Sequence, residues 1–138
     1  TTYCLILKCD GISFLFGKNS LYNSSYHGII DLKVTPRIVN EKDAIVRLQA
    51  YVSNKTDNQT VHFVLKDADG TVVAETSKAE KANDAKDVPE HVALIDLEQD
   101  IRDVRRWQDG KEAYHYTAVV ELVENGGVVD TLSTQFGC

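Results

Sequence analysis

The sequence predicts an all-β fold, an antiparallel two-sheet sandwich of about seven strands. Three observations carry that expectation. Apolar residues recur with a period of two, Asn, Asp and Gly punctuate the runs, and 138 residues are enough for one such domain. A period of two is the strand period, because successive side chains on a strand point to opposite faces.

The elements follow in order. Ile30, Leu32 and Val34 mark a first strand, which Pro36 ends or marks as a sheet edge, since proline lacks a ladder amide. In Ala44–Val52 the even positions are Ala, Val, Leu, Ala and Val, while Arg47 and Gln49 stand between them. Thr60–Lys66 offers Val61, Phe63 and Leu65 to a core and His62 and Lys66 to water. Asp67-Ala68-Asp69-Gly70 then turns the chain into Thr71–Thr76. Ala93–Leu97 is another short strand, and Tyr114–Leu122 again places its apolar set on even positions. Glu124-Asn125-Gly126-Gly127 supplies the positive-φ residues of a tight hairpin into Val128–Leu132. Two stretches stand apart. Ser77–Asp87 is polar and alanine-rich, a long exposed loop or a frayed helical turn. Leu97, Ile101, Val104 and Trp107 fall at helical spacing, which suggests a helical turn within an irregular connection over Glu98–Arg106.

Composition excludes several functions. A net charge of −6 argues against a nucleic-acid partner, which needs a basic face to neutralise phosphates. No apolar run approaches the roughly 20 residues of a membrane helix, so no membrane partner is expected. The first residues lack the charged start of a signal peptide, and the chain reads as soluble, with its compartment undetermined. Cys4, Cys9 and Cys138 are odd in number and have no CxxC spacing, which predicts neither a disulfide framework nor a zinc site; a Cys4–Cys9 pairing would close only a small loop.

Candidate chemistry is sparse. Asp67-Ala68-Asp69-Gly70 resembles the opening of a calcium loop, but the rest of the ligand series is missing, and a hairpin turn is the expected role. His62 and His115 sit on polar strand faces, and His27 and His91 have no identifiable partner. Asn23, Asn54 and Asn58 open formal glycosylation sequons. Glu121 and Glu124 share a strand without the spacing of a catalytic pair flanking a sugar. No nucleophile elbow, phosphate loop or Cys/His constellation is present. The expectation is therefore no catalytic residue, no cofactor and no metal. Trp107, the only tryptophan, precedes a core strand and is expected to plug the end of the sandwich rather than to serve as a sugar-stacking platform.

At these residues a family resemblance emerges. Arg106-Trp107-Gln108-Asp109-Gly110-Lys111-Glu112-Ala113-Tyr114-His115-Tyr116-Thr117-Ala118-Val119-Val120-Glu121-Leu122 resembles the end of the immunoglobulin-like domain of family 2 glycoside hydrolases. In that family a Trp and a glycine-containing turn lead through Pro-x-Leu-Tyr-Thr into a hydrophobic strand. Ala113 stands here where proline is usual, and His115 where leucine is usual. Val128-Val129-Asp130 and Phe136-Gly137 are similar to the family's last strand before its barrel. Val39 to Val73 is similar to the domain's first two hairpins. The resemblance covers about residues 30–138 in unbroken order.

The resemblance implies an immunoglobulin-like domain within a multidomain retaining glycosidase of the β-galactosidase, β-glucuronidase or β-mannosidase type. Its partners would be a preceding sugar-binding domain and a following catalytic barrel that carries both catalytic glutamates. This chain would then be an inactive spacer, with Trp107, Tyr114, Tyr116 and Phe136 as core and domain-junction residues. The rival is a free-standing immunoglobulin-like binding or adhesion module, because one fold hosts many functions. Residues 1–29 form a separate N-terminal segment, and residues 1–23, which match no part of the family pattern, are expected to be either a divergent tail of the preceding sugar-binding domain or a segment foreign to the family. Their apolar stretches, Tyr3–Leu7 and Ile12–Phe16, predict either an added edge strand or self-association between chains.

If Trp107 plugs the sandwich, Trp107→Ala should lower unfolding stability by about 3–5 kcal/mol. A loss below about 0.5 kcal/mol in denaturant melts, the level of a surface site, would exclude that role.

Overall fold

The computed structural model describes the backbone of Leu5–Leu7 and residues 26–82, 88–105 and 114–138. Eight strands result: β1 (Leu5–Leu7), β2 (Gly28–Ile38), β3 (Ala44–Ser53), β4 (Gln59–Lys66), β5 (Val72–Lys78), β6 (Val92–Ile101), β7 (Tyr116–Glu124) and β8 (Gly127–Gly137). They form two antiparallel sheets, β2-β3-β6 and β1-β8-β7-β4-β5. Strands β2 to β8 are the seven of an immunoglobulin-like sandwich.

The alternation decides which face is buried. Val46, Leu48, Ala50 and Val52 of β3 meet Val61, Phe63 and Leu65 of β4 and Tyr116, Ala118, Val120 and Leu122 of β7 in one core. Three hairpins join neighbours within a sheet, while the β3–β4, β5–β6 and β6–β7 connections cross between sheets. The β7–β8 hairpin turns on Asn125 and Gly126, with φ of 52° and 79°. Two consecutive positive φ values are those of a type I′ turn, whose twist matches the flanking strands. In the β4–β5 hairpin, Asp67 Oδ1 accepts from the Asp69 and Thr71 amides at 3.0 and 2.9 Å. That carboxylate closes a turn, as an Asx residue does.

β2 runs through Pro36 to Ile38 and lies at the edge of its sheet. The missing proline amide is harmless there. β6 also extends further than its strand signal suggested. Residues 98–101 continue as strand, paired to Ala44–Arg47, and no helical turn forms there. Leu97 and Ile101 are four apart, an even spacing that puts both on one strand face as well as on one helix face. Cross-strand pairing with β3 selects the strand. Similarly, β5 runs two residues past Thr76 into the polar stretch, through Ser77 to Lys78; residues 83–87 lie outside the described residues.

β1 adds an edge strand, with Leu5 opposite Gly137 and Leu7 opposite Gln135. One cysteine expectation is corrected: Cys138, at the end of β8, is disulfide-bonded. An odd cysteine count argues against several bridges and leaves room for one. Cys4 and Cys9 lie outside the described residues.

Phe63 is 2% exposed at the centre of β4. Phe63→Ala should cost about 3–5 kcal/mol of unfolding free energy, as for other buried aromatics. Urea titration of the two proteins measures it.

Candidate functional site

The strands run so that β2 starts and β8 ends at opposite ends of the sandwich. β3 ends beside the start of β2, with Ser53 opposite Gly28, and β8 ends beside the start of β7, with Phe136 opposite Tyr116. The end containing Tyr116 and Phe136 is the candidate domain-junction site.

Three of the four residues singled out from the sequence gather there. Tyr116 and Phe136 are both buried on the inner face, and their rings stack at 5.5 Å between centroids with a 17° interplanar angle. Tyr114 meets Tyr116 edge-on, at 5.2 Å and 70°. Such offset and edge-to-face pairs suit the aromatic quadrupole. Trp107 lies outside the described residues.

Polar contacts tie this cluster to two further segments, one of which is itself bonded to a third. The Arg105 amide donates to Tyr116 Oη at 2.8 Å, and the Arg105 guanidinium lies 4.5 Å from the Tyr114 ring centroid. The Ala68 amide donates to Tyr114 Oη at 3.1 Å, joining the β4–β5 turn to the same cluster. Val104 N donates to Lys42 O at 2.7 Å, which brings in the β2–β3 turn as well. Arg105 and Ala68 were not legible as partners, because no local pattern records contacts across 11 and 46 residues. Burial is the main reason that the Tyr116 hydroxyl is held above its ordinary pKa of 10.0, with Tyr114 and Asp67 adding to it; the bond from Arg105 pulls the other way.

The remaining candidates are placed elsewhere. His62, on the outer face of β4, lies 3.1 Å from Glu121 through Nδ1 and 3.1 Å from Glu75 through Nε2. Glu124 accepts from Gln59 Nε2 at 3.2 Å. Glu121 and Glu124 thus serve different neighbours. Asn54 Nδ2, the atom a glycan would take, donates to Tyr26 O at 2.7 Å. His27 is exposed, and His91 lends its carbonyl to the Asn54 amide at 2.7 Å. Among the described residues no three His, Cys, Asp or Glu side chains gather to hold a metal. No helix there is long and apolar enough to cross a membrane. The aromatic cluster offers packed rings with bonded hydroxyls, an arrangement suited to fixing segments together.

The raised Tyr116 pKa has a definite sign. Its stabilising contribution is complete below the unfolded value near 10 and is lost as pH rises through the higher folded value. Tyr116→Phe should cost about 1 kcal/mol at neutral pH through the lost acceptor. It should also lessen the fall in stability above about pH 10. Denaturant melts at pH 7 and at several points above 10 measure both.

Comparison with known proteins gives this geometry a context. The family described as glycosyl hydrolases family 2 matches residues 28–138. Beta-galactosidase BoGH2A of Bacteroides ovatus is 31% identical over 107 residues, which are 75% of this chain and 12% of that protein. A solved β-glucuronidase of Bifidobacterium dentium superposes with a TM-score of 0.61 at 26% identity, over 79% of this chain and 17% of its own. The crystal structure of a β-galactosidase described as putative, from Bacteroides fragilis, shares the fold at a TM-score of 0.65 and 19% identity, over 78% of this chain and 16% of its own. The chain therefore spans less than a fifth of these relatives. With the family matched from the first residue of β2 to the end of the sequence, the chain belongs to glycosyl hydrolase family 2.

Proposed function

We propose that this chain is the non-catalytic β-sandwich domain of a multidomain retaining glycosidase of the β-galactosidase type, acting in carbohydrate breakdown. It would serve as a spacer that holds a sugar-binding domain and a catalytic barrel in a fixed relative geometry. One observation carries the reading: β2 begins and β8 finishes at opposite ends of a stitched sandwich. Eleven residues of strand at about 3.3 Å each keep those two points roughly 35 Å apart. Segments attached there are separated by a body with little freedom to bend, because both sheets share one packed core.

Tyr114, Tyr116 and Phe136 support the same reading from the β8 end, and Trp107 is assigned to that junction with them. Their contacts bind the β6–β7 connection, the β4–β5 turn and the end of β8 into one unit. The segment before β2 is assigned to the tail of the preceding domain, with Leu5–Leu7 laid along the edge of β8, while Gly28 and Ile29 belong to β2 of the sandwich. Self-association through that tail belongs to the same proposal. Glu121 is engaged by His62 and Glu124 by Gln59, and neither faces the other across a cleft.

The purified 138-residue chain should hydrolyse aryl β-galactosides and β-glucuronides no faster than a heat-killed control. The codons that follow residue 138 in the parent gene should encode alternating strands and helices with two catalytic glutamates. A stop codon, an anchor or further sandwiches there would replace the spacer reading with that of a binding module.

A further inference from the structure

At the end of the sandwich opposite the aromatic cluster, four segments meet around Gly28. Asp130, near the start of β8, accepts from the Ile29 amide through Oδ2 at 2.8 Å, a contact between residues 101 apart. It bridges the two sheets at β2, the edge strand of its own sheet. The same carboxylate leaves no room for a side chain at position 28. A Cβ on Gly28 would stand 2.5 Å from Asp130 Oδ2 and 3.2 Å from the Tyr26 hydroxyl. Gly28 also has φ of 143°, where residues with a side chain are strained. On the other side of the chain, Asn54 Nδ2 donates to the Tyr26 carbonyl at 2.7 Å. Asn54 is itself fixed, with φ of 54° and its amide donating to His91 O at 2.7 Å.

The backbone at the start of β2 is thus held at two points three residues apart, Tyr26 and Ile29, by side chains from a loop and a different strand. Ile29 is gripped through its amide by β8 and Tyr26 through its carbonyl by the β3–β4 loop. Gly28 between them takes a backbone conformation that lets the chain pass under the carboxylate. Two bonds on opposite sides of a glycine fix a direction, whereas one would leave a swivel.

We propose that Asp130 and Asn54 form a two-point latch that sets the direction in which the chain enters the sandwich at Gly28. The latch gives the spacer its angular precision and in that sense rests on the spacer reading, but its own test concerns only residues 26–29 of this chain. Asp130 and Asn54 act as positioning residues. Neither is needed to fill the core, so the loss should be local.

The test is amide exchange and 15N relaxation on the full 138-residue chain. In Asp130→Ala the Ile29 amide should exchange at least about tenfold faster, while core amides such as those of Val46 and Val120 keep their rates. Order parameters at His27 and Gly28 should fall toward or below about 0.6. Asp130→Asn, which keeps a side-chain acceptor, should restore both readouts. Asn54→Gly, which tolerates the positive φ and removes the side-chain amide with its bonds to Tyr26 O and Ser53 Oγ, should loosen residues 26–28 without touching Ile29 exchange. Unchanged residues 26–29 in both Asp130→Ala and Asn54→Gly would overturn the latch, as would acceleration of core amides by the same factor as Ile29. If Asp130→Ala fails to fold, Asn54→Gly alone decides: loosened residues 26–28 support the latch, and unchanged ones overturn it. The spacer reading falls on the gene sequence instead, so either can fail while the other stands.

Discussion

A slip of one residue between β3 and either of its neighbours would turn Val46, Leu48, Ala50 and Val52 to solvent. All ten residues of β3 pair without interruption to β6 and, with one shift, to β2, so that register is the constraint on which the remaining structure depends. Each of those four side chains is at most 1% exposed, against an apolar set of equal depth on β4 and β7. Hydrophobic burial scales with the area removed from water, and a slip would forfeit that area along the whole strand. The one irregularity in β2, between Ile29 and Asp31, sits at the very start of the strand, where the chain is held by Asp130 rather than by alternation.

Sandwiches must also close their open sides, since exposed strand edges seek partners. On one side, the edge of β6 is met by the chain leaving β5: Lys78 Nζ donates to Asp96 O at 2.7 Å and Ala82 N to Leu94 O at 2.8 Å. Thr76 on β5 also donates its hydroxyl to Gln99 Oε1 on β6. On the other side, β2 meets β8, and the Asp130 carboxylate takes the place of a ladder bond. The two sheets are therefore joined by polar contacts at both margins as well as by the core. A body closed in this way resists the shear of one sheet over the other, the motion that would most change the geometry between its two ends.

Much of this was legible in the sequence because alternation leaves a direct record. The buried sets of β3, β4 and β7 are the ones that period two predicts, and the Asn125-Gly126 and Asp67–Gly70 turns fall where the punctuation places them. Legibility ended where two periods coincide. Leu97 and Ile101 satisfy helix and strand spacing alike, and only the pairing of β6 with β3 distinguishes the two. The aromatic cluster was half legible. Tyr114, Tyr116 and Phe136 were singled out together from the sequence and pack together here, but the bonds from Arg105 and Ala68 depend on tertiary folding. The Asp130 contact with Ile29 was invisible for the same reason: nothing local to Val128-Val129-Asp130 points to a residue 101 positions away.

The outer faces of both sheets carry polar pairs. On the three-stranded sheet, Arg47 forks onto Asp96 at 2.7 and 3.1 Å, Arg37 reaches Glu98 at 3.4 Å, and Lys33 lies over the Tyr51 ring. On the larger sheet, His62 lies between Glu75 and Glu121. Exposed pairs of this kind add little stability, typically up to about 1 kcal/mol each. Their effect is to keep both faces solvated, because burying them against another protein would require desolvating charges already matched within the chain. The two ends differ. At one, the Tyr114 and Tyr116 hydroxyls draw separate connections together; at the other, Val128 and Val129 stand more than half exposed beside the latched entrance of β2. Burying either sheet face against another surface would therefore carry a desolvation cost that the apolar Val128 and Val129 do not.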